Sequence, residues 1–469
     1  MLLVWRVFSL SYVLSCFVEK SCMNICHNLA LGLNCFGRRA SSMRLFLILS
    51  VYKFLLGWLC SIFYSWRKFE YSFAFETLSW FIFAGSFFLF RIIVLLSKRM
   101  DDILKFLLLL LYMISYLPFT SLIGFRQVSI PLIVYNSIYF LVIGTACRLA
   151  VEFCSFKIPF IAAGRRLLTG VCVVTISIYL YFSYKYTSLR LYLSFDDVYV
   201  AGHGFKSLNV SKFWRIFFAT FLWVTPYLIS YFLVQRRLIM AILYTLSGIS
   251  GYCACGSKFI LLASVGGYII VLFFNKKITV RRREFFCYLG IAVFLISGLA
   301  MKVSRTNIVA DWTSRCLARM LFEVNFAVIH YFNFFIETHH PPEYFLQFLS
   351  HFIEVPVRYH SAINPVPLLI GRIYYDTECW CCSGLLGTAV MRLGYPGIFV
   401  MPFFHVFILL FFSRLVVALD ERLQVLFSFF LAFSIINGSV DIHFVCTLFF
   451  YLYLMGSTGN SKKSCNSSQ

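Results

Sequence analysis

Charge is what this sequence is short of. Asp, Glu, Lys and Arg make up 13% of its 469 residues, against about a quarter in soluble domains. Acids are scarcer than bases, 19 Asp and Glu against 41 Lys and Arg. Several signatures are missing outright. There is no phosphate-cradling P-loop, no G-x-G-x-x-G opening a Rossmann unit, no G-x-S-x-G elbow and no H-E-x-x-H. These absences exclude the common soluble nucleotide-binding, hydrolase and zinc-protease frameworks, and an ATPase domain. The 17 Cys are scattered, many within apolar runs, which fits use as small hydrophobes. Cys379, Cys381 and Cys382 in ECWCC lack a second pair at zinc-ribbon spacing, and they read as a disulfide or as nothing functional.

What fills the chain is hydrocarbon. Hydrophobic residues are 61% of it, mean hydropathy is +0.84, and Phe alone occurs 56 times. Apolar runs long enough for a bilayer core of about 30 Å recur along nearly the whole length. Twelve apolar segments are predicted, at 44–66, 77–97, 103–123, 130–150, 167–185, 214–234, 237–254, 256–274, 285–303, 395–417, 423–438 and 441–456, of which the seventh and the last two are short. The expected fold class is therefore all-α, a polytopic transmembrane helical bundle of about 12 spans with one large extracytoplasmic loop.

The net charge of +22 does not indicate nucleic acid. The basic residues sit in short linkers, where they set membrane orientation. Lys98 and Arg99, Lys157, Arg165 and Arg166, Arg236 and Arg237, and Lys276 to Arg283 all fall on one side if the segments cross alternately. Arg38, Arg39 and Arg44 before the first segment fall there too, as do Lys462 and Lys463 after the last. That side is cytoplasmic by the positive-inside rule; Arg67 and Lys68 are the exception. The organisation expected is a 1–42 extension, whose residues 2–18 read as a signal-like segment or an extra helix, and a nine-span domain over 43–303. A periplasmic loop over 304–394, a three-span domain over 395–457 and a cytoplasmic tail over 458–469 follow.

The large loop carries Arg305, Arg315, Arg319, Arg358, Arg372 and Arg392, and no Lys. Guanidinium groups bind phosphate bidentately where Lys acts as a point charge. These Arg suit an anionic diphosphate at the outer surface, or anchoring to lipid phosphates. The loop also holds His330, His339, His340, His351 and His360. Their spacing is poor for zinc, so no metal is expected, and a single His as general base fits better. A helix is predicted over 313–336. Arg315, Arg319 and Glu323 share one face, and Leu317, Leu321, Val324, Val328 and Phe335 form an apolar stripe opposite. It reads as interfacial, or as a charged face turned to substrate. A second interfacial helix is predicted over 343–354. In the smaller outer segment, Asp196-Asp197 stands near Arg190 and a Gly-flanked His203. Lys258 opens the eighth segment, where a helix N-terminus favours anions. Arg91 lies inside FFLFRIIVLL and should face protein rather than lipid.

The stretch PLLIGRIYYDTECWCCSGLLGTAVMRLGYPGIFV resembles the end of the large outer loop in Wzy-type polymerases of O-antigen and other oligosaccharide repeat units. The matching elements are Ile370-Gly371, Gly384 to Gly387, and the Gly394-Tyr395-Pro396-Gly397 entry into a span. SFDDVY and GSKFILL resemble further elements of that family, and the Asn residues often seen before the Gly-rich stretch are replaced by Cys381 and Cys382. The resemblance covers about 43–457. It implies a fold similar to membrane-embedded GT-C-like glycosyltransferases. It implies a metal-independent, cofactor-free transfer of a growing chain from undecaprenyl diphosphate to a hydroxyl of the next lipid-linked repeat unit, at the periplasmic face of the bacterial inner membrane. The diphosphate leaving group calls for positive charge, with Arg305, Arg315, Arg319, Arg372 and Lys258 as candidates and Arg190 behind them. The acceptor hydroxyl calls for a base, with Asp196, Asp197 or His360 as candidates. Expected partners are the lipid-linked oligosaccharide, the bilayer, a chain-length regulator and a flippase. A lipid-linked oligosaccharide flippase and an O-antigen ligase share much of this layout.

Overall fold

The computed structural model describes residues 38–63, 73–125, 128–153, 158–159, 165–187, 212–255, 322–339, 366–375, 381, 383–437 and 442–466. Among these the regular structure is entirely helical. Helix α1 is Arg38–Phe63. Helix α2 is Phe73–Phe90, continued by a π turn at Arg91–Leu95. Helix α3 runs as Asp102–Leu111, a π turn at Tyr112–Tyr116, and Leu117–Ile123. Then follow α4 (Ile130–Phe153), α5 (Arg165–Thr187), α6 (Lys212–Val234) and α7 (Leu238–Cys255). After them come α8 (Val324–Phe332, with a π turn at Asn333–Glu337), α9 (Val366–Tyr375), α10 (Gly384–Leu393), α11 (Tyr395–Val416), α12 (Glu421–Ile436) and α13 (Ile442–Asn466).

Ten of the expected apolar segments coincide with α1 to α7 and α11 to α13; those at 256–274 and 285–303 lie outside the described residues, as do 1–37 and the helix predicted at 343–354. Among the described residues five helices are long and apolar enough to cross a membrane: Met43–Cys60, Phe75–Leu95, Asp102–Ile123, Ile130–Phe153 and Tyr395–Val416.

Helix α3 is the spine. Its Leu-rich sequence has no polar face, and a helix apolar all round belongs in a protein interior. It is buried from Phe106 onward and packs on α1, α2, α11 and α12. The π turn in α3 has a local cause. Pro118 has no N–H to offer the Ile114 carbonyl, and Leu117 N–H bonds instead to the Tyr112 carbonyl, a wider turn.

The two ends of the bundle differ chemically. At one end Asp101 caps α3, accepting from Leu104 N–H at 2.7 Å, and pairs with Arg414 at the foot of α11 at 3.7 Å. Arg148 bonds Glu152 at 3.0 Å, Arg99 donates to the Glu152 carbonyl at 3.1 Å, and Arg237 donates to Thr169 at 2.7 Å. Asp420 caps α12 and holds Arg422. Arg99, Asp101 and Arg237 come from linkers predicted to share one side, and Arg148 and Arg414 from the ends of predicted segments. At the far end Ser129 donates to Glu337 at 2.8 Å, and the Glu76 carboxylate lies against Gly124. Arg91 is half-buried at the start of its π turn, with its Nε enclosed by protein.

The helix predicted over 313–336 needs correction in character. Its described part, α8, is buried on nearly every side rather than along one stripe: Asn325, Phe326, Ala327 and Ile329 are as enclosed as Val324 and Val328. The cause is α10. Gly384 takes φ +64°, a region open to Gly but strained for other residues, and sits against Val324 and Val328. Gly387 sits against the Tyr331 ring. Lacking side chains there, α10 closes on α8 and covers the Val324 and Val328 part of the apolar stripe expected to face lipid. Helix α10 then turns sharply into α11. Gly394 adopts φ 63° and ψ −140°, and a Cβ on Gly397 would collide with the Ala389 carbonyl.

Candidate active site at the far end of the bundle

Of the side chains expected to do chemistry, only Arg372 lies within the described residues; Asp196, Asp197, His360, Arg190, Lys258, Arg305, Arg315 and Arg319 lie outside them. Arg372 occupies the last turn of α9 and is exposed, a favourable place for a cation beside the helix's terminal carbonyls.

The polar side chains that do come together are others. Cys381 fastens α9 over α8: its N–H donates to the Pro367 carbonyl at 3.2 Å, and its carbonyl accepts from the Tyr331 hydroxyl at 3.1 Å. Cys381 is a free thiol, so this turn is tied by main-chain bonds rather than a disulfide at that residue. With α9 held there, Tyr374 stacks on the His330 imidazole at 4.4 Å between centroids and 19° between planes. Tyr375 meets the same ring edge-on at 5.1 Å. Arg372, two residues before Tyr374 on the same helix, is exposed where Tyr374 and Tyr375 are half-buried.

Glu337 completes the cluster. The π turn at Asn333–Glu337, closed by Thr338 N–H on the Asn333 carbonyl at 2.8 Å, ends α8 and turns its last carboxylate outward. Glu337 Oε1 accepts from Ser129, and Oε2 accepts at 3.0 Å from the Asn333 amide, which also donates to the Ile329 carbonyl at 3.1 Å. Burial, and then the Glu337 charge, push the Tyr374 hydroxyl above its usual range, so Tyr374 stays protonated and can donate. An imidazole, a phenol kept protonated and an exposed carboxylate oriented by two donors make a surface that can accept a proton from a bound hydroxyl. Among the described residues no three or more His, Cys, Asp or Glu side chains converge as a metal set.

Two further polar groupings lie inside the bundle. Lys53, on α1, is buried. It donates to Ser79 Oγ at 2.6 Å and stands 3.9 Å from Glu76 and 4.8 Å from the Trp80 ring; Ser79 in turn donates to the Thr120 carbonyl at 2.6 Å. His405 on α11 shares a 2.9 Å hydrogen bond with Tyr139 on α4. Sequence reasoning singled out none of Lys53, Glu76, Glu337 or His405. The available signal was a lone charge within an apolar run, which for Lys53 and His405 marks a side chain that must find a polar partner inside the protein.

No protein-family model, no curated protein and no solved structure matches the chain.

Proposed function

We propose that this chain is a polytopic polymerase of undecaprenyl-diphosphate-linked oligosaccharide repeat units, with about 12 spans, acting at the periplasmic face of a bacterial inner membrane. The observation that carries the reading is the chemical polarity of the bundle. Among the described residues Arg99, Arg148 and Arg414 gather at one end, and on the reading of the helices as spans the positive-inside rule makes that end cytoplasmic. The His330, Tyr374 and Glu337 cluster stands at the other end. It is built from the segment between α7 and α11, the stretch in which the resemblance to Wzy-type polymerases is concentrated.

On this reading the reaction needs two things. The lipid diphosphate is already a good leaving group and needs cations, which the loop's Arg residues supply. The attacking sugar hydroxyl needs a base, and His330 or Glu337 joins Asp196, Asp197 and His360 in that role. A fold similar to GT-C-like enzymes belongs to the same proposal. Deletion of the gene in its native host, followed by analysis of lipid-linked sugars, tests it. A polymerase lost leaves a single repeat unit on the lipid anchor. Loss of an O-antigen ligase would leave none transferred, and loss of a flippase would strand units inside; either result refutes the proposal.

A further inference from the structure

A cavity of about 570 Å³ opens between α2, α3 and α4. It runs along α4 from Ile130 to Gly144, a length of about 21 Å at about 1.5 Å per residue. Spread over that length, the volume leaves a cross-section of about 27 Å², a slot rather than a chamber. Two of the π turns border it: Ile93 and Val94 come from the turn in α2, Tyr112 and Tyr116 from the turn in α3. A π turn widens the helix locally and displaces its side chains, and here two of them hold the walls apart.

The lining decides what can enter. Its polar side chains are Ser86, Tyr112, Tyr116 and Ser137, and each is already engaged. Ser86 and Tyr112 share a bond of 2.8 Å, and Tyr116 and Ser137 one of 2.9 Å. Ser86 also donates to the Phe83 carbonyl and Ser137 to the Ile133 carbonyl. Two of these bonds cross between helices and cancel hydroxyls that a sugar or water would need; water requires about 2–4 polar partners to stay in such a space. The remaining lining is aliphatic and aromatic, with Phe90, Tyr112, Tyr116 and Phe140 in successive ring contact at 5.0, 5.4 and 5.0 Å. The mouth lies between Leu89 on α2 and Val134 and Leu141 on α4, all exposed. These helices are among those long and apolar enough to cross a membrane, and on the reading of them as spans the mouth opens sideways into lipid.

We propose that this slot is a binding site for one acyl chain of a membrane phospholipid, held along the helix axes as a resident spacer between α2 and α4. Within a bilayer, lipid tails are as apolar as the slot, so retention comes from close van der Waals fit against rigid rings rather than from escape from water. Among the described residues no charged side chain lines the slot, so selectivity is for the chain. The proposal rests on the membrane reading alone and is independent of the polymerase assignment.

The test is native mass spectrometry of the full chain in detergent, with palmitoyl-oleoyl-phosphatidylethanolamine added and then exchanged out. The wild type should keep one phospholipid, and phosphatidylglycerol should substitute equally well. A Cβ at Gly144 would make only ordinary contacts, at 3.5 and 3.6 Å, with Ile93 and Val94, so Gly144→Phe should plug the inner end. Val134→Phe narrows the mouth from a lipid-facing position. Each should lower lipid occupancy by about tenfold with the melting temperature in detergent retained, and Val134→Phe decides the matter if Gly144→Phe misfolds. The proposal is overturned if the wild type keeps no lipid, if Val134→Phe keeps it undiminished, if retention follows the headgroup, or if undecaprenyl phosphate displaces the phospholipid one for one. Polymer formation is not read, so failure here leaves the polymerase assignment standing.

Discussion

Removing the charge of Lys53 should reveal how much of the α1–α2–α3 junction is ionic. The ammonium is 1% exposed, and Glu76 is 20% exposed at 3.9 Å. At that separation the gross attraction is about 4 kcal/mol for an effective dielectric of about 20. Burying the ammonium offsets part of it, and in the unfolded state within a membrane or micelle polar groups find other partners. A net coupling of about 2 kcal/mol remains. Glu76→Gln leaves the ammonium with Ser79 Oγ and the Trp80 face alone, and should cost about 3 kcal/mol. Lys53→Met leaves a carboxylate that solvent reaches, and should cost about 1–2 kcal/mol. The double variant Lys53→Met/Glu76→Gln should therefore cost about 2 kcal/mol less than the two single costs added. Equilibrium unfolding of all four proteins in mixed micelles measures this cycle. A coupling below about 0.5 kcal/mol would show that the junction is held by packing and that the pair contributes nothing specific.

Three other outcomes are expected. His330→Phe keeps the stack on Tyr374 but removes both ring nitrogens, and should lower polymer formation at least about 100-fold with unchanged melting; normal polymer in cells would reduce His330 to a packing residue. Gly397→Ala forces a methyl onto the Ala389 carbonyl and should destabilise the α10–α11 turn by about 2 kcal/mol, whereas Gly85→Ala, with nothing within 4 Å, should be neutral or stabilising by about 0.5–1 kcal/mol; both are read by thermal unfolding in detergent. Burial would raise the Asp420 carboxyl, but the Arg422 side-chain bond, its N–H and its charge outweigh that and hold the carboxyl below the usual range. Asp420 therefore binds protons more weakly folded than unfolded. Its contribution is present above the ordinary Asp value near 3.9 and is lost as pH falls through the lowered one. Asp420→Asn should flatten the acid limb of the stability profile, an effect kept small by solvent screening.

The one-dimensional features were legible in the sequence because hydrocarbon content and linker charge act locally. The helices at 102–123, 130–153 and 395–416 follow from runs with too little charge to stay in water. Arg99, Asp101, Arg148 and Arg414 share an end because each stands where an apolar helix gives way to a polar connection. Composition could not say which apolar face meets lipid and which meets protein, since both are equally hydrophobic. That is why α8, read as an interfacial stripe, is instead enclosed. The decision lay in Gly384 and Gly387, some sixty residues away, whose missing side chains let α10 approach. The pairings of Lys53 with Ser79, His405 with Tyr139 and Glu337 with Ser129 span 26, 266 and 208 positions. A polar group in an apolar helix announces that it needs a partner. Only the packing of the helices, through register, π turns and the close approaches that glycine permits, selects which partner it meets.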